Sequence, residues 1–470
     1  MALCSKLLSR VPTSCQEYVH PWTPSCYTAS AGLLLHALQS SFRLYVTVYA
    51  LALLMKGRKP SKKDIKRTLY GILQSTAFIG CHAVGFSLCA CFMRHVLGYY
   101  NFFTFAFLPT FVSSWFAILV ERPSRRSLLS LYVTNIASET LYQMLVWRKV
   151  VKPIAFADVL IFTSSISCLL YLYRSQYKSA DSIYSLIRFI VGPYEQLGYT
   201  PDSPDTESAP RQFPSDKPKR PTASVPSTSR GVQQKRSSHG TLYSALTLFF
   251  HCIKEFKNYL KTVTKCQYCS HPHGCVHYWL QGGTKVFAIG YGLQLSLRTL
   301  MQMRKIARRP VLLLRALKSS DTFSLGVFLG GFSFLYRFIS CMLRRSLRRD
   351  TQAIAIPAAF VAGFTFCFYR SNTIALYVMW KSLQILYLVG RDNKVVPEVP
   401  HASIFFHCLS TAILFQAAIF EPQNLRSSYW NFLHNMSGGR IGAMDRKCLD
   451  MYGLDSSKMV EMIKNKHRRS

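Results

Sequence analysis

Apolar residues along this chain are gathered into long blocks and are not spread at the period of a surface helix or strand. A helix that crosses a membrane needs about 20 mainly apolar residues. Six blocks come close to this length and carry at most one ionisable side chain: Gly71–Met93, Phe102–Val120, Ile154–Tyr173, Phe323–Leu343, Ala353–Tyr369 and Ala402–Phe420. The pattern therefore predicts several membrane-spanning helices.

Four weaker blocks each contain one acid or strong base: Leu33–Met55, Leu128–Val146, Val286–Met303 and Ile374–Val389. Hydrophobic residues make up 49% of the 470 residues and charged residues only 17%, below the usual quarter of a soluble protein. We therefore predict an all-α, polytopic helical membrane protein with about 8–10 spans in two repeated halves.

The two halves are indicated by an internal repeat. The segment 126–174 reappears without gaps 245 residues later as 371–419, with 11 identities in 49 positions. Lys149-Val150-Val151, for example, matches Lys394-Val395-Val396. Internal repeats are common in membrane transporters, whether parallel or inverted, and the basic residues near the spans favour neither orientation.

The blocks and the repeat predict six regions. They are a Cys-containing head (1–31), a first membrane half (32–199), a disordered basic linker (200–240), a Cys/His-rich pre-membrane segment (241–283), a second membrane half (284–420) and a C-terminal tail (421–470). The linker is rich in Pro, Ser, Thr, Lys and Arg and nearly free of apolar residues, so it cannot bury enough surface to offset its ordering entropy.

The net charge of +36 comes mainly from basic clusters at the ends of the apolar blocks. Such clusters suit anionic lipid head groups. We therefore expect membrane lipids and other membrane proteins as partners. We expect no nucleic acid, because no nucleic-acid-binding fold fits between the blocks.

Glu139 and Lys381 lie in the paired fourth blocks of the two halves. An ionisable group within a membrane is costly unless it faces protein or water, so both residues are candidates for a substrate path. The alternative is that these blocks are interfacial, or that the two side chains extend to the membrane surface.

The densest group of metal-ligand residue types is Cys266, Cys269, His271, His273, Cys275 and His277. Thiolate and imidazole are the preferred ligands of zinc, so zinc is the one cofactor for which the sequence offers candidates. Acylation of membrane-proximal cysteines and a reduced Cys-rich loop are the alternatives. In the head, a disulfide between Cys15 and Cys26 would require an oxidising compartment.

Gly326 and Gly330 have the spacing that allows two helices to approach closely in lipid. No catalytic motif is present: the chain has no Gly-x-Ser-x-Gly, phosphate-binding loop, His-Glu-x-x-His or dinucleotide fingerprint. We therefore predict no catalytic residues and no enzymatic activity.

Several motifs along the chain resemble the transmembrane protein 135 family. They are Cys15 with His20-x-Trp22-x-Pro24-Ser25-Cys26, Leu119-Val120-Glu121-Arg122-x-Ser124-Arg125-Arg126, Ser185-x-x-Arg188-Phe189-Ile190-Val191-Gly192, Gly326-x-Phe328-Leu329-Gly330, Val396-Pro397-x-x-Pro400-His401-Ala402, Gln416-Ala417-Ala418 and Leu425-Arg426-x-Ser428-Tyr429-Trp430. The family also has a likeness to the translocases of the mitochondrial inner membrane.

This resemblance implies a multi-pass protein of the mitochondrial or peroxisomal membrane. It further implies a role in mitochondrial dynamics, including fission, or in peroxisome organisation and lipid homeostasis. The alternative function is a carrier or channel for a lipid-related metabolite, with its site between the two repeats.

Overall fold

We describe the fold from a computed structural model of the chain. The structure describes residues 9–54, 59–175, 182–197, 199, 266–309 and 311–469, with isolated positions between 251 and 262. The predicted linker, residues 200–240, lies outside the described residues. Within them the chain is helical, apart from connecting segments and one isolated bridge between Val11 and Tyr100.

The α-helices of the described residues are α1 Cys15–Tyr18, α2 Cys26–Leu54, α3 Lys62–Leu97, α4 Phe107–Val120, α5 Pro123–Trp147, α6 Ala157–Arg174, α7 Ser182–Val191, α8 Cys275–Met301, α9 Met303–Arg308, α10 Val311–Lys318, α11 Ser320–Leu347, α12 Ala355–Gly363, α13 Asn372–Asp392, α14 Ala402–Phe420, α15 Ser427–Met436, α16 Arg440–Ala443 and α17 Ser456–Arg469. Short 3-10 helices are Pro193–Glu195, Gln352–Ile354, Phe364–Tyr369, Pro422–Asn424 and Lys447–Tyr452. This confirms the predicted all-α class.

Six helical segments are both long and apolar enough to cross a membrane: Lys62–Leu97, Ala157–Arg174, Val311–Leu347, Gln352–Tyr369, Asn372–Asp392 and Ala402–Phe420. The other predicted blocks are also helical. The block around α4 is apolar but forms a helix of only 14 residues. Helices α2, α5 and α8 have 29, 25 and 27 residues, and polar side chains such as Arg43, Glu139 and Arg298 interrupt their apolar runs. The chain is thus a multi-pass helical membrane protein.

The surface of α3 shows how these helices suit lipid. Its buried positions include the small residues Gly71, Ser75, Gly80, Ser87 and Ala90. Large apolar side chains, among them Leu73, Leu88 and Phe92, are exposed instead. Small residues facing protein and large apolar residues facing outward are typical of helices packed within a membrane, where lipid tails are as apolar as leucine.

The repeat is visible in the backbone. Helix α5 ends at Trp147 and α13 ends at Asp392, while α6 and α14 begin at Ala157 and Ala402. Between them, the N–H of Val150 donates to Leu145 O at 3.0 Å and that of Val395 to Gly390 O at 2.8 Å. The predicted repeat therefore produces two connections between helices that share the same local backbone geometry.

In both connections, a tyrosine of the preceding helix forms a hydrogen bond with the backbone of the connecting segment. The Tyr142 hydroxyl accepts from the N–H of Ile154 at 3.3 Å, and the Tyr387 hydroxyl accepts from the N–H of Val399 at 2.9 Å. Each pair is displaced by the repeat distance. The tyrosine identity in the repeat thus has a structural reason.

The chain forms two compact units, residues 1–158 with 371–470 (unit 1) and residues 159–370 (unit 2). Each unit combines helices from both halves of the chain. In unit 1, α14 of the second half packs against α4 and α5 of the first. In unit 2, Phe162 on α6 of the first half stacks on Phe366 at 4.3 Å and contacts Phe328 on α11 of the second half at 5.5 Å. The last helix of each repeat therefore packs with helices of the other half.

Unit 1 also joins both ends of the chain. Tyr18 contacts Phe105 at 4.8 Å, Phe420 contacts Tyr452 at 5.6 Å, and these side chains belong to one buried cluster. Arg446 is buried beside it and donates to the carbonyls of Ala418 and Ile419, at 2.9 Å each. Both carbonyls belong to the last turn of α14, where the helix itself offers no further N–H groups to bind them.

In unit 2, α8 and α11 cross with their backbones close together. A Cβ atom on Gly330 would lie 2.5 Å from Phe287 Cβ and 2.9 Å from Gly283 O. One on Gly326 would lie 3.1 Å from Phe287 O. The two glycines of the predicted packing motif thus lie at the closest approach of this helix pair.

Candidate functional site

Unit 1 contains a cavity of about 250 Å³ (the unit 1 cavity). It is formed by the head, α2, α3, α5, α14 and the tail, so both repeats contribute to its wall. The wall is mainly apolar, and its larger side chains include Leu33, Phe78, Phe86, Val133, Phe415 and Met436. A mostly apolar cavity with few polar groups is the usual form of a binding site for a small hydrophobic molecule.

Three of the lining residues are His82, His407 and Arg440. His82 Nε2 lies 2.9 Å from the Ser114 hydroxyl. His407 is 3% exposed, and neither of its ring nitrogens has a hydrogen-bond partner within the described part of the chain. Buried polar groups are nearly always hydrogen-bonded. The imidazole of His407 could therefore be satisfied by a polar group of a ligand, or by water, within the cavity.

Glu139 and Lys381 occupy different surroundings. The Glu139 carboxylate forms an ion pair with Arg426, and Lys381 Nζ lies 3.0 Å from Gln384 Oε1. Gln384 stands at the repeat position that corresponds to Glu139. Neither predicted path residue lines the unit 1 cavity. Their role in a substrate path stays a prediction.

Three of the predicted metal ligands converge in unit 2. The ligand atoms of Cys269, His271 and Cys275 lie together with that of Cys341 on α11, all within 4.8 Å of one another (the second cluster). Cys341 Sγ is 3.5 Å from His271 Nε2. His271 Nδ1 is bound to His273 O at 2.6 Å, so Nε2 carries the lone pair that faces the thiols.

The other three predicted ligands lie beside this set. Cys266 packs against the buried core that contains Cys269 and Cys341. The rings of His273 and His277 contact each other at 5.3 Å between centroids. The four convergent residues, and not the full set of six, thus form the candidate metal centre of unit 2.

The thiols of the second cluster influence one another. Hydrogen bonds with Cys269, Cys341 and His271 lower the pKa of the Cys275 thiol. Hydrogen bonding with Cys275 raises the pKa of the Cys269 thiol to about 12. Thiols that hydrogen-bond to one another in this way lie close enough to bind one metal ion together.

A matching group lies in unit 1. The ligand atoms of Cys15, His20, Cys26 and Cys91 are also within 4.8 Å of one another (the N-terminal cluster). Cys15 Sγ and Cys26 Sγ are 3.6 Å apart, and burial raises the pKa of the Cys15 thiol. His20 Nδ1 is bound to Thr23 O at 2.8 Å.

Local structure explains how the N-terminal cluster is assembled. Ser14 caps α1: its hydroxyl accepts from the N–H of Glu17, and the Glu17 carboxylate accepts from the N–H of Ser14. This fixes Cys15 at the first position of α1. Cys26 begins α2, and Cys91 lies on α3.

The N-terminal cluster was not among the predicted metal ligands. The signal in the sequence was the concentration of Cys15, His20 and Cys26 within the head, whereas Cys91 is far away along the chain. Cys341 was missed for the same reason. Nothing in their local sequence distinguishes these two cysteines from the packing cysteines of other spans.

Residues 12–146 match the family model of the N-terminal cysteine-rich region of Transmembrane protein 135. The match covers less than half of the chain, and it shows that this N-terminal part is similar to the transmembrane protein 135 family. This confirms the resemblance found in the sequence. No solved structure matches the chain.

The region matched to the transmembrane protein 135 family covers α1 to α5, apart from the last residue of α5. It contains all four residues of the N-terminal cluster. It also supplies Trp22, His82 and Val133 to the wall of the unit 1 cavity. The second cluster lies outside the matched residues.

Proposed function

We propose that this membrane protein acts in lipid homeostasis of mitochondrial or peroxisomal membranes by binding a lipid-type molecule in the unit 1 cavity. The observation that carries the proposal is the unpartnered, buried His407 in a largely apolar wall. A buried polar group without a hydrogen bond costs about 1–3 kcal/mol. A ligand with an apolar body and a polar group removes that cost.

The size and composition of the unit 1 cavity support this class of ligand. At about 250 Å³ it is larger than an apolar cavity of roughly 150 Å³ that admits benzene in another protein. Arg440 lines the same cavity, and its guanidinium lies 5.9 Å from the ring centre of Trp22. An arginine beside an apolar cavity suits an anionic head group such as carboxylate or phosphate.

The wider function that we propose is the one implied by the family resemblance, and it includes no catalytic step. Exposed basic side chains near the span ends, including Lys63 and Lys66, would bind anionic lipid head groups. Occupancy of the unit 1 cavity would then report lipid supply to the processes expected of the family, namely mitochondrial dynamics, including fission, and peroxisome organisation.

The experiment is to purify the protein in mild detergent and to identify co-purified lipids by mass spectrometry. Ala83 lines the unit 1 cavity, so Ala83→Trp should fill the cavity and lower the bound lipid at least several-fold. Cys81 lies on the same helix but is exposed, so Cys81→Trp is the matched control and should retain the lipid. Equal lipid content in both variants, each monodisperse on size exclusion, would refute the proposal.

A carrier for a lipid-related metabolite is the second candidate function. It is supported by the position of the unit 1 cavity between helices of the two repeats, because α3 and α5 face α14 across it. Binding sites at a repeat interface are typical of secondary transporters. Flux across a liposome membrane distinguishes a carrier from a protein that only binds the lipid.

A further inference from the structure

We propose that the protein holds two structural Zn²⁺ ions, one in the N-terminal cluster and one in the second cluster. Each ion would be bound by three cysteine thiolates and one histidine. Such Cys₃His sets are typical of structural zinc. The inference is independent of the lipid ligand proposed above.

The distances fit a tetrahedral zinc ion. With Zn–S of about 2.3 Å and Zn–N of about 2.05 Å, two sulfurs are separated by about 3.8 Å and a sulfur and a nitrogen by about 3.6 Å. The observed Cys15 Sγ to Cys26 Sγ distance is 3.6 Å, and the Cys341 Sγ to His271 Nε2 distance is 3.5 Å. The ligand atoms thus need little movement.

The two histidines are oriented as zinc ligands. In each case Nδ1 faces a backbone carbonyl, that of Thr23 for His20 and that of His273 for His271. This leaves Nε2 as the metal-binding atom, and such a carbonyl contact is the usual support of a zinc-bound histidine.

His20 gives an independent indication of a ligand. It is 1% exposed, and its Nε2 has no hydrogen-bond partner among the described residues. The His20 ring lies with the three thiols of the N-terminal cluster. A zinc ion at their centre would satisfy all four atoms at once.

The ligands of the two clusters are arranged in similar order along the two halves of the chain. Cys26 is the first residue of α2, and Cys275 is the first residue of α8. Cys91 and Cys341 lie on the long helices α3 and α11 that follow, and the two intervals differ by one residue. The remaining cysteine and the histidine come from the segment before α2 or α8. Two different local sequences therefore produce the same ligand set.

The two alternative uses of these cysteines explain fewer of the contacts. A disulfide between Cys15 and Cys26 would leave Cys91 and His20 Nε2 unused. Acylation would require accessible thiols, whereas Cys91, Cys269 and Cys341 are buried. A metal ion uses every member of both clusters.

Each zinc would fasten a connecting segment to a long helix. The first would join the head to α3, and the second would join the segment before α8 to α11. Because ligands brought together by folding release their binding free energy only in the folded state, both ions would stabilise their units.

The test is metal analysis of the purified full-length protein, normalised to protein concentration. We expect two zinc ions per chain, one after Cys91→Ser or Cys341→Ser, and none in the double variant. Cys89→Ser on α3 and Cys367→Ser in unit 2 are matched controls outside both clusters and should retain two. Variants are compared only as monodisperse peaks.

A spectroscopic measurement gives a second readout that does not depend on metal content alone. Protein produced with Co²⁺ should show the thiolate charge-transfer and visible bands of tetrahedral cobalt, halved by either single variant. Zinc content of one or less in the parent protein, or content unchanged by both variants, overturns the proposal. A Cys15–Cys26 disulfide in the intact mass of freshly isolated protein overturns it for the N-terminal cluster.

Discussion

Lys149 and Lys394 have the same left-handed backbone conformation, with φ of 58° at both residues. They are separated by the repeat distance, and each follows the last turn of its helix, α5 or α13. Phe156 and His401 form a second such pair, also with φ of 58°. Left-handed conformations are unfavourable for residues with a Cβ atom, so their recurrence at equivalent positions shows that the repeat preserves the turn itself.

This strain predicts that glycine stabilises both turns. Lys149 and Lys394 are exposed, so little packing is lost with their side chains. Lys149→Gly and Lys394→Gly should each raise the free energy of unfolding by about 1 kcal/mol. Thermal unfolding in detergent measures the change. Lys152→Gly, at a position without positive φ in the first turn, is the control and should be neutral or destabilising.

The crossing of α8 and α11 predicts a strong dependence on glycine. Gly330→Ala would place a methyl group 2.9 Å from the Gly283 carbonyl oxygen, so the helices must separate. We expect a loss of about 1–3 kcal/mol. On α8, a methyl group at Gly292 would meet no atom within 4 Å, so Gly292→Ala should be neutral or stabilising. Equal melting temperatures for the two variants would contradict the close approach.

The buried Glu195 carboxylate predicts acid sensitivity of unit 2. It accepts from Arg174 at 3.0 Å, from Arg344 at 2.6 Å and from the Tyr278 hydroxyl at 3.1 Å. Burial by itself raises the pKa of Glu195, but the two guanidiniums outweigh it and the pKa is lowered below 4.5. Its stabilising contribution is therefore complete above pH 4.5 and is lost as the pH falls below that value.

Glu195→Gln tests this network directly. It leaves the buried guanidiniums of Arg174 and Arg344 undercompensated, so we expect a loss of about 3–5 kcal/mol in the free energy of unfolding and a weaker dependence on acid. Asp321→Asn removes the more exposed ion pair with Arg298 and should cost less than about 1 kcal/mol. Unfolding at neutral and acidic pH separates the two cases.

The carrier hypothesis predicts a flux that depends on Glu139 and Lys381. In liposomes that contain the purified protein, Glu139→Gln and Lys381→Met should each reduce transport of a labelled fatty acid at least tenfold. Arg391→Gln, in a surface ion pair with Asp392, is the control. Absence of flux from the parent protein would exclude the carrier and leave lipid binding as the function. Flux unchanged in both variants would exclude Glu139 and Lys381 from the substrate path.

The helices were predictable because each apolar block is continuous in sequence and is punctuated by charge, Pro or Gly. The equal lengths of the turns at Lys149 and Lys394 could also be predicted from the sequence, since a repeat without gaps requires them. The packing of α6 in unit 2 and of α14 in unit 1 could not be predicted, because the sequence of an apolar helix does not specify which helices it contacts. The pairing of Phe162 with Phe366 depends on the whole unit.

The candidate sites, too, contain some residues that could be predicted from the sequence and others that could not. Cys269, His271 and Cys275 were found because they are close in sequence, and Cys341 was not because only the packing of α11 brings it to them. The unit 1 cavity was inaccessible to sequence reasoning for a similar reason. His407 looked like any histidine of an apolar helix until its surroundings were known.

The composition of unit 1 has a consequence for biosynthesis. Helices α3, α4 and α5 emerge from the ribosome long before α14, which contacts them, and before Tyr452 and Arg446, which belong to the same core. Unit 1 therefore remains incomplete until residues 402–452 have been synthesised. A product truncated within the central linker would expose the surfaces of α4 and α5 that α14 covers. We expect membrane quality control to degrade such a product.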